Sequence, residues 1–170
     1  MSQGGIDGGV ESSPRDARSV RCRACRPGAI LPKRMTEGAS GFDLAACLEE
    51  PRTLEPSERA AIPTGLVMAI PRGLEGVVRP RSGLALRAGV TLLNAPGTID
   101  SDYRGEVCVI LVNLGAEPIT ISHGDRIAQL VIQELPPIEL AWSAELDETE
   151  RGAGGFGHTG LASEPTSGMQ

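Results

Sequence analysis

The sequence predicts an all-β domain that carries one short helix, and three observations support that prediction. The 170-residue chain holds 22 glycines and 13 prolines, well above their ordinary share, and both residues interrupt long helices. Between Val20 and Glu134, short β-prone runs alternate with turn signals: AAIPTGLVMAIP, LEGVVRP, GVTLLNAPG, GEVCVILVN, EPITISHGD and RIAQLVIQ, each bounded by Gly, Pro, Asn or Asp. Many short strands at near-regular spacing suit a sandwich, a barrel or a jelly roll. The third observation is the single local exception, SGLALRAG from Ser82 to Gly89, where Ser82 is placed to cap a helix and Gly89 to end it.

Taken in order, residues 1–18 are rich in Gly, Ser and charge with no periodicity, and are expected to be a disordered leader. Val20, Cys22 and Ala24 alternate with Arg21 and Arg23, the pattern of a half-buried first strand. The β domain is expected to span 19–140. In Ile138 to Glu150, Ile138, Trp142 and Leu146 fall at helical spacing but follow the breaker Pro136-Pro137, so helix and loop both stand open. Residues 141–170 are expected to form a C-terminal arm: a glycine-rich motif, RGAGGFGHTG (Arg151 to Gly160), then a loose tail.

Charge and composition exclude several functions. Sixteen Lys and Arg against 22 Asp and Glu give a formal charge of -6, which repels a nucleic-acid backbone. The aromatics are only Phe42, Tyr103, Trp142 and Phe156, too few to stack successive bases, so no nucleic-acid partner is expected. The longest apolar run is near VCVILV and the start is polar, which predicts neither membrane span nor signal peptide and a soluble, cytoplasmic protein. Cys22 and Cys25 have C-x-x-C spacing, but a zinc site needs a second close pair, and CRACRPG runs into Pro27 and Gly28 rather than opening a helix. Neither His123 nor His158 has a second ligand at i+3 or i+4.

Three polar, glycine-punctuated segments are where chemistry is expected. Pro80-Arg81-Ser82-Gly83 reads as an ordinary helix start or as a phosphate cradle with Arg81 as a fork donor. The segment Gly97 to Gly105, GTIDSDYRG, reads as a turn with solvated acids, or as a site where Asp100 serves as general base and Tyr103 offers a flat face to a sugar or base. RGAGGFGHTG reads as a flexible linker, or as a nest of N–H groups around an anion with Arg151 for charge and Phe156 for stacking. It is neither a Walker loop nor a dinucleotide fingerprint.

Five segments in order then resemble one family, the trimeric dUTP pyrophosphatases (dUTPases): Ala39-Ser40-Gly41-Phe42-Asp43-Leu44, PRSG at Pro80 to Gly83, GTIDSDYRGEV at Gly97 to Val107, GDRIAQLVI at Gly124 to Ile132, and RGAGGFGHTG. The resemblance implies a jelly-roll, β-clip-like protomer, a homotrimer with shared sites, and Mg²⁺-dependent hydrolysis of dUTP to dUMP and pyrophosphate, which removes dUTP and supplies dUMP for thymidylate synthesis. It implies that Asp100 deprotonates the attacking water and that Tyr103 lies against the deoxyribose where a 2′-hydroxyl would stand. Asn94, with backbone around Thr98 and Ile99, would read uracil in a tight hairpin. Arg81, Ser82 and Gly83, with Gln129 nearby, would hold phosphates from a neighbouring chain. Arg151, Phe156, Gly157, His158 and Thr159 would close over the site from another chain, with His158 standing where the family often has serine.

A triphosphate needs positioning, a bridging metal and donors aimed at developing charge. Mg²⁺ keeps oxygen ligands and waters, so it is expected on the substrate phosphates with no direct protein ligand, and Asp43 as a structural or outer-shell acid. Two rivals stand beside this reading: a dCTP deaminase or bifunctional deaminase–dUTPase, which shares the fold and resembles the region around Arg81 and Asp100 but fits the Asp102-Tyr103-Arg104 segment and the glycine arm less well, and a catalytically silent nucleotide-binding trimer.

Overall fold

The computed structural model describes residues 19–156. They form ten strands and one helix in the order β1 (Arg21–Ala24), β2 (Phe42–Ala45), β3 (Arg52–Leu54), β4 (Arg59–Ala69), β5 (Leu74–Arg79), α1 (Ser82–Ala88), β6 (Val90–Leu92), β7 (Gly97–Ile99), β8 (Glu106–Asn113), β9 (Ile119–Ile121) and β10 (Arg126–Glu134). One sheet has the order β1-β4-β8-β6, a second β2-β10-β5-β7, and β3 pairs with β9. Every pairing is antiparallel. The all-β expectation with one short helix therefore holds.

Period-2 alternation builds the core. Along β8, Val107, Val109 and Leu111 turn inward while Glu106, Cys108 and Ile110 occupy the other face. Ile62, Leu66 and Met68 of β4 join them from the same sheet, and Leu44, Leu74, Val78, Ile127 and Leu130 from around the second sheet complete one hydrophobic cluster. Each side chain fully buried there contributes about 1.5–3 kcal/mol. Asn113, at the end of β8, is fully buried and yet satisfied: its Nδ2 donates to Leu54 O (3.0 Å) and Glu117 O (2.9 Å), and its Oδ1 accepts the Gly115 N–H (2.9 Å). One amide thus joins β3, β8 and the turn toward β9.

The pairing of β4 with β8 shifts register between Pro63 and Val67. Proline cannot donate to a ladder, and Gly65 adopts φ +71, a left-handed conformation that side chains resist. A Cβ at Gly65 would also lie 2.8 Å from both Ala29 Cβ and Cys47 Sγ. The irregularity aims the Gly65 N–H at Glu106 Oε1, 2.9 Å away, while Thr64 Oγ1 donates to Val107 O at 2.6 Å.

Three local readings change. Strand β1 forms where expected, but all four of its residues are exposed; it is an edge strand paired only with β4. Ser82 does not cap α1: Arg81 occupies the cap position with no side-chain cap bond, and Ser82 is the first helical residue. Gly97–Ile99, expected in a loop, is strand β7, with Gly97 and Ile99 buried against the core.

The chain divides into two compact units after Pro137. In the second, no helix or strand forms over the described residues, and Ile138, Leu140, Trp142 and Leu146 are exposed. The helical spacing there had no apolar surface of its own unit to pack against. Among the described residues, no helix is long and apolar enough to cross a membrane.

Candidate active site

One cavity of about 310 Å³ gathers most of the residues expected to recognise a nucleoside: Asn94, Thr98, Ile99, Asp100 and Tyr103 all line it. The turn from β6 to β7 holds Asn94 at its rim. That turn is a corner rather than a paired hairpin, because β6 bonds to β8 in the first sheet while β7 bonds to β5 in the second. Asp100 follows β7 directly, and the buried Ile99 anchors it.

Tyr103 is fixed by two contacts. Its hydroxyl donates to Glu106 O at 3.0 Å, and its ring lies on Gly105, where a Cβ would stand 2.5 Å from the tyrosine Cζ. Arg104 donates from Nη1 to Ser101 O and Tyr103 O, both at 2.7 Å, closing the turn behind Asp100. The far wall comes from the outer face of β8: Glu106, Cys108 and Ile110. Sequence reasoning did not single these out, although the alternation along GEVCVILVN places them on the face opposite the core.

Two groups in this wall have shifted acidities. The Arg26 guanidinium, hydrogen-bonded to Glu106, holds that carboxyl below its usual range, with the Gly65 N–H adding to the effect against burial. Burial pushes the Cys108 thiol up, and the Glu106 charge pushes it further.

The residues expected to hold phosphates form a second cluster, built on Asp43. This side chain is buried in β2 and takes Arg126 Nη1 at 3.0 Å on Oδ2, Arg81 Nη2 at 3.6 Å on the same oxygen, and Gln129 Nε2 at 3.4 Å on Oδ1. Arg81 is held again by its own donation from Nη1 to Arg126 O (2.7 Å). Ser82 and Gly83 continue from it as the first turn of α1. The cavity lined by Asp100 and Tyr103 includes none of Arg81, Ser82, Gly83 or Gln129.

Arg151 and Phe156 lie in the second unit, where Arg151 Nε donates to Gly154 O at 2.8 Å and Phe156 is fully exposed with φ 50. Gly157, His158 and Thr159 lie outside the described residues. Among the described residues, no group of three or more His, Cys, Asp or Glu side chains is placed to hold a metal ion. Asp43, committed to two guanidiniums and an amide, has little capacity left for direct ligation.

The dUTPase family model matches residues 28–160. The chain belongs to the dUTPase family. Curated dUTPase relatives agree: the deoxyuridine 5'-triphosphate nucleotidohydrolase of Desulfotalea psychrophila is 59% identical over 133 residues, 77% of this chain and 87% of the relative. The protein of the same name from Anaeromyxobacter sp. is 61% identical over 130 residues, 76% of this chain and 87% of its own length. Among solved structures, the dUTPase of Staphylococcus bacteriophage 80alpha with dUpNHpp superposes with a TM-score of 0.76 at 26% identity, over 84% of this chain and 99% of that one.

Proposed function

We propose that this dUTPase-family chain hydrolyses dUTP to dUMP and pyrophosphate, with Asp100 as the base that takes the proton of the attacking water. The observation that carries the reading is the nucleoside-sized cavity in which Asn94, Thr98, Ile99, Asp100 and Tyr103 meet. Asn94 and the backbone of Thr98 and Ile99 bind the uracil edge at the corner between β6 and β7, the place from which a 5-methyl group is rejected. Tyr103, flat on Gly105 and tethered through its hydroxyl, is a rigid wall against the deoxyribose that leaves no space for a 2′-hydroxyl. Asp100, exposed directly after an anchored strand and lining this cavity, is the carboxylate available there to take a proton from water.

Arg81, Ser82, Gly83 and Gln129 bind the phosphates. Asp43 fixes Arg81 from beneath, so the guanidinium is oriented before substrate arrives. None of these residues lines the Asp100 cavity of one protomer, which supports the reading that the site is completed between chains of a homotrimer. Arg151, Phe156, Gly157, His158 and Thr159 close over it from a further chain. Mg²⁺ carried in with the triphosphate would supply charge neutralisation there, and Asp43 would act at most through a water. The enzyme works in the cytoplasm, where its four unpaired cysteines remain reduced.

The test is pyrophosphate release with Mg²⁺ from dUTP, UTP, dTTP and dCTP, beside Asp100→Asn. Strong preference for dUTP, with a variant that binds but barely turns over, is expected. Equal rates for wild type and variant remove Asp100 from its role, and ammonia release from dCTP makes the chain a deaminase. Deletion from Arg151 onward is expected to reduce turnover and leave the trimer intact; monomers on a sizing column would make the arm a structural staple instead.

A further inference from the structure

Arg26 lies in none of the five family-like segments, yet it reaches the wall of the nucleoside cavity across 80 positions of sequence. Its Nε donates to Glu106 Oε1 at 2.6 Å and its Nη2 to Oε2 at 2.9 Å, a fork-on-fork pair. Glu106 Oε1 also accepts the Gly65 N–H from the β4 irregularity. The same residue serves the cavity twice, because it lines the wall on the β8 face shared with Cys108 and Ile110 and its main-chain oxygen receives the Tyr103 hydroxyl.

A carboxylate in that wall is a burden for a site that takes a polyanion. Entry of a nucleoside strips its water, and an unpaired charge then costs binding energy. It also adds a second negative charge to a cavity that holds Asp100. The groups that act on Glu106 are Arg26, just after β1, the Gly65 N–H of β4, and Cys108 of β8, while Asp100 and Tyr103 line the same cavity. Arg26 alone among them carries positive charge.

We propose that Arg26 is a positioning residue for substrate binding: it neutralises Glu106 and draws that carboxylate onto the Gly65 N–H, so that the start of β8 offers the sugar a charge-compensated wall with Tyr103 held against it. Arg26 touches neither substrate nor reacting atoms. The inference rests on the dUTPase reading of the cavity and adds a residue to it.

The experiment compares wild type, Arg26→Ala, Arg26→Lys and the double variant Arg26→Ala with Glu106→Gln, by dUTP steady-state kinetics and by calorimetric binding of dUMP, with urea unfolding as the control for folding. Arg26→Ala is expected to raise KM and the dUMP dissociation constant about fivefold, the upper range for a partly exposed ion pair, with kcat unchanged. Arg26→Lys recovers part of the loss. The double variant recovers most of it, because no unpaired charge remains. The ratio of dUMP dissociation constants, Arg26→Ala over wild type, shrinks as pH falls toward the ordinary carboxylate value of about 4.3, where the released Glu106 takes up a proton. An unchanged KM in Arg26→Ala, or a double variant as impaired as the single, overturns the proposal. A wild type that fails to cleave dUTP defeats the functional reading instead, and the ratio of dUMP dissociation constants still decides the role of Arg26.

Discussion

Asp43 Oδ2 lies 3.6 Å from Arg81 Nη2, a contact that ties the second strand to the residue opening the only helix among the described residues. Arg81 is three-quarters buried on its side chain and Asp43 almost wholly so, so the pair is sheltered from the screening that weakens surface ion pairs.

Asp43→Asn keeps the shape of the side chain and removes its charge, leaving Arg81 and Arg126 uncompensated. Loss of about 1–3 kcal/mol in urea unfolding is expected, the range for a buried polar group losing a charged partner. Affinity for dUTP should fall about tenfold, corresponding to 1.4 kcal/mol, since the Arg81 guanidinium would no longer be pre-oriented. Unaltered affinity in a folded variant would separate Asp43 from phosphate binding.

Gly65→Ala brings a Cβ to 2.8 Å from Ala29 and Cys47 at φ +71. Strain and overlap together should cost about 2–4 kcal/mol. The displaced N–H would also leave Glu106, so thermal unfolding and dUMP binding should both suffer.

Glu106→Gln tests the linkage of stability to pH. The folded carboxyl is held below its usual range chiefly by Arg26, so its stabilising contribution is complete above the unfolded value of about 4.3 and disappears as pH falls through the lower folded value. Urea midpoints of wild type and variant should therefore differ most near neutrality and converge on acidification below about 4. A gap that widens in acid would contradict the ion pair.

Cys108 offers a chemical probe of the cavity. Its thiol is raised by burial and by Glu106, so alkylation by iodoacetamide should be slow at neutral pH and accelerate only above the free-thiol value of about 8.5. Bound dUMP should slow labelling at Cys108 and leave Cys25 unaffected, as read by peptide mapping. Equal labelling with and without dUMP would place the nucleotide elsewhere.

Much of this was legible in the chain. The long strands β4, β5, β8 and β10 stand where alternation and turn residues placed them, and the Gly97 to Val107 segment folds its Asp100 and Tyr103 into one cavity. What the chain concealed was non-local. Strands of three residues, such as β3 and β7, are too short for periodicity to register and exist because a partner strand holds them. Exposure along β1 follows from its place at a sheet edge, which alternating apolar residues cannot announce. The Arg26 to Glu106 pair spans 80 positions, and Asp43 to Arg126 spans 83; neither partner carries a local sign of the other.

Strand β10 sits inside its sheet, between β2 and β5, although it is the last strand among the described residues. During synthesis, β2 and β5 therefore emerge with no partner between them, and the backbone edges that face β10 stay open until Glu134 has been made. The second sheet is then zipped in one late event that fastens Asp43, Arg81, Arg126 and Gln129 together. A ribosome that stalls before β10 releases a chain with exposed strand edges and no Asp43 cluster, a species prone to aggregate.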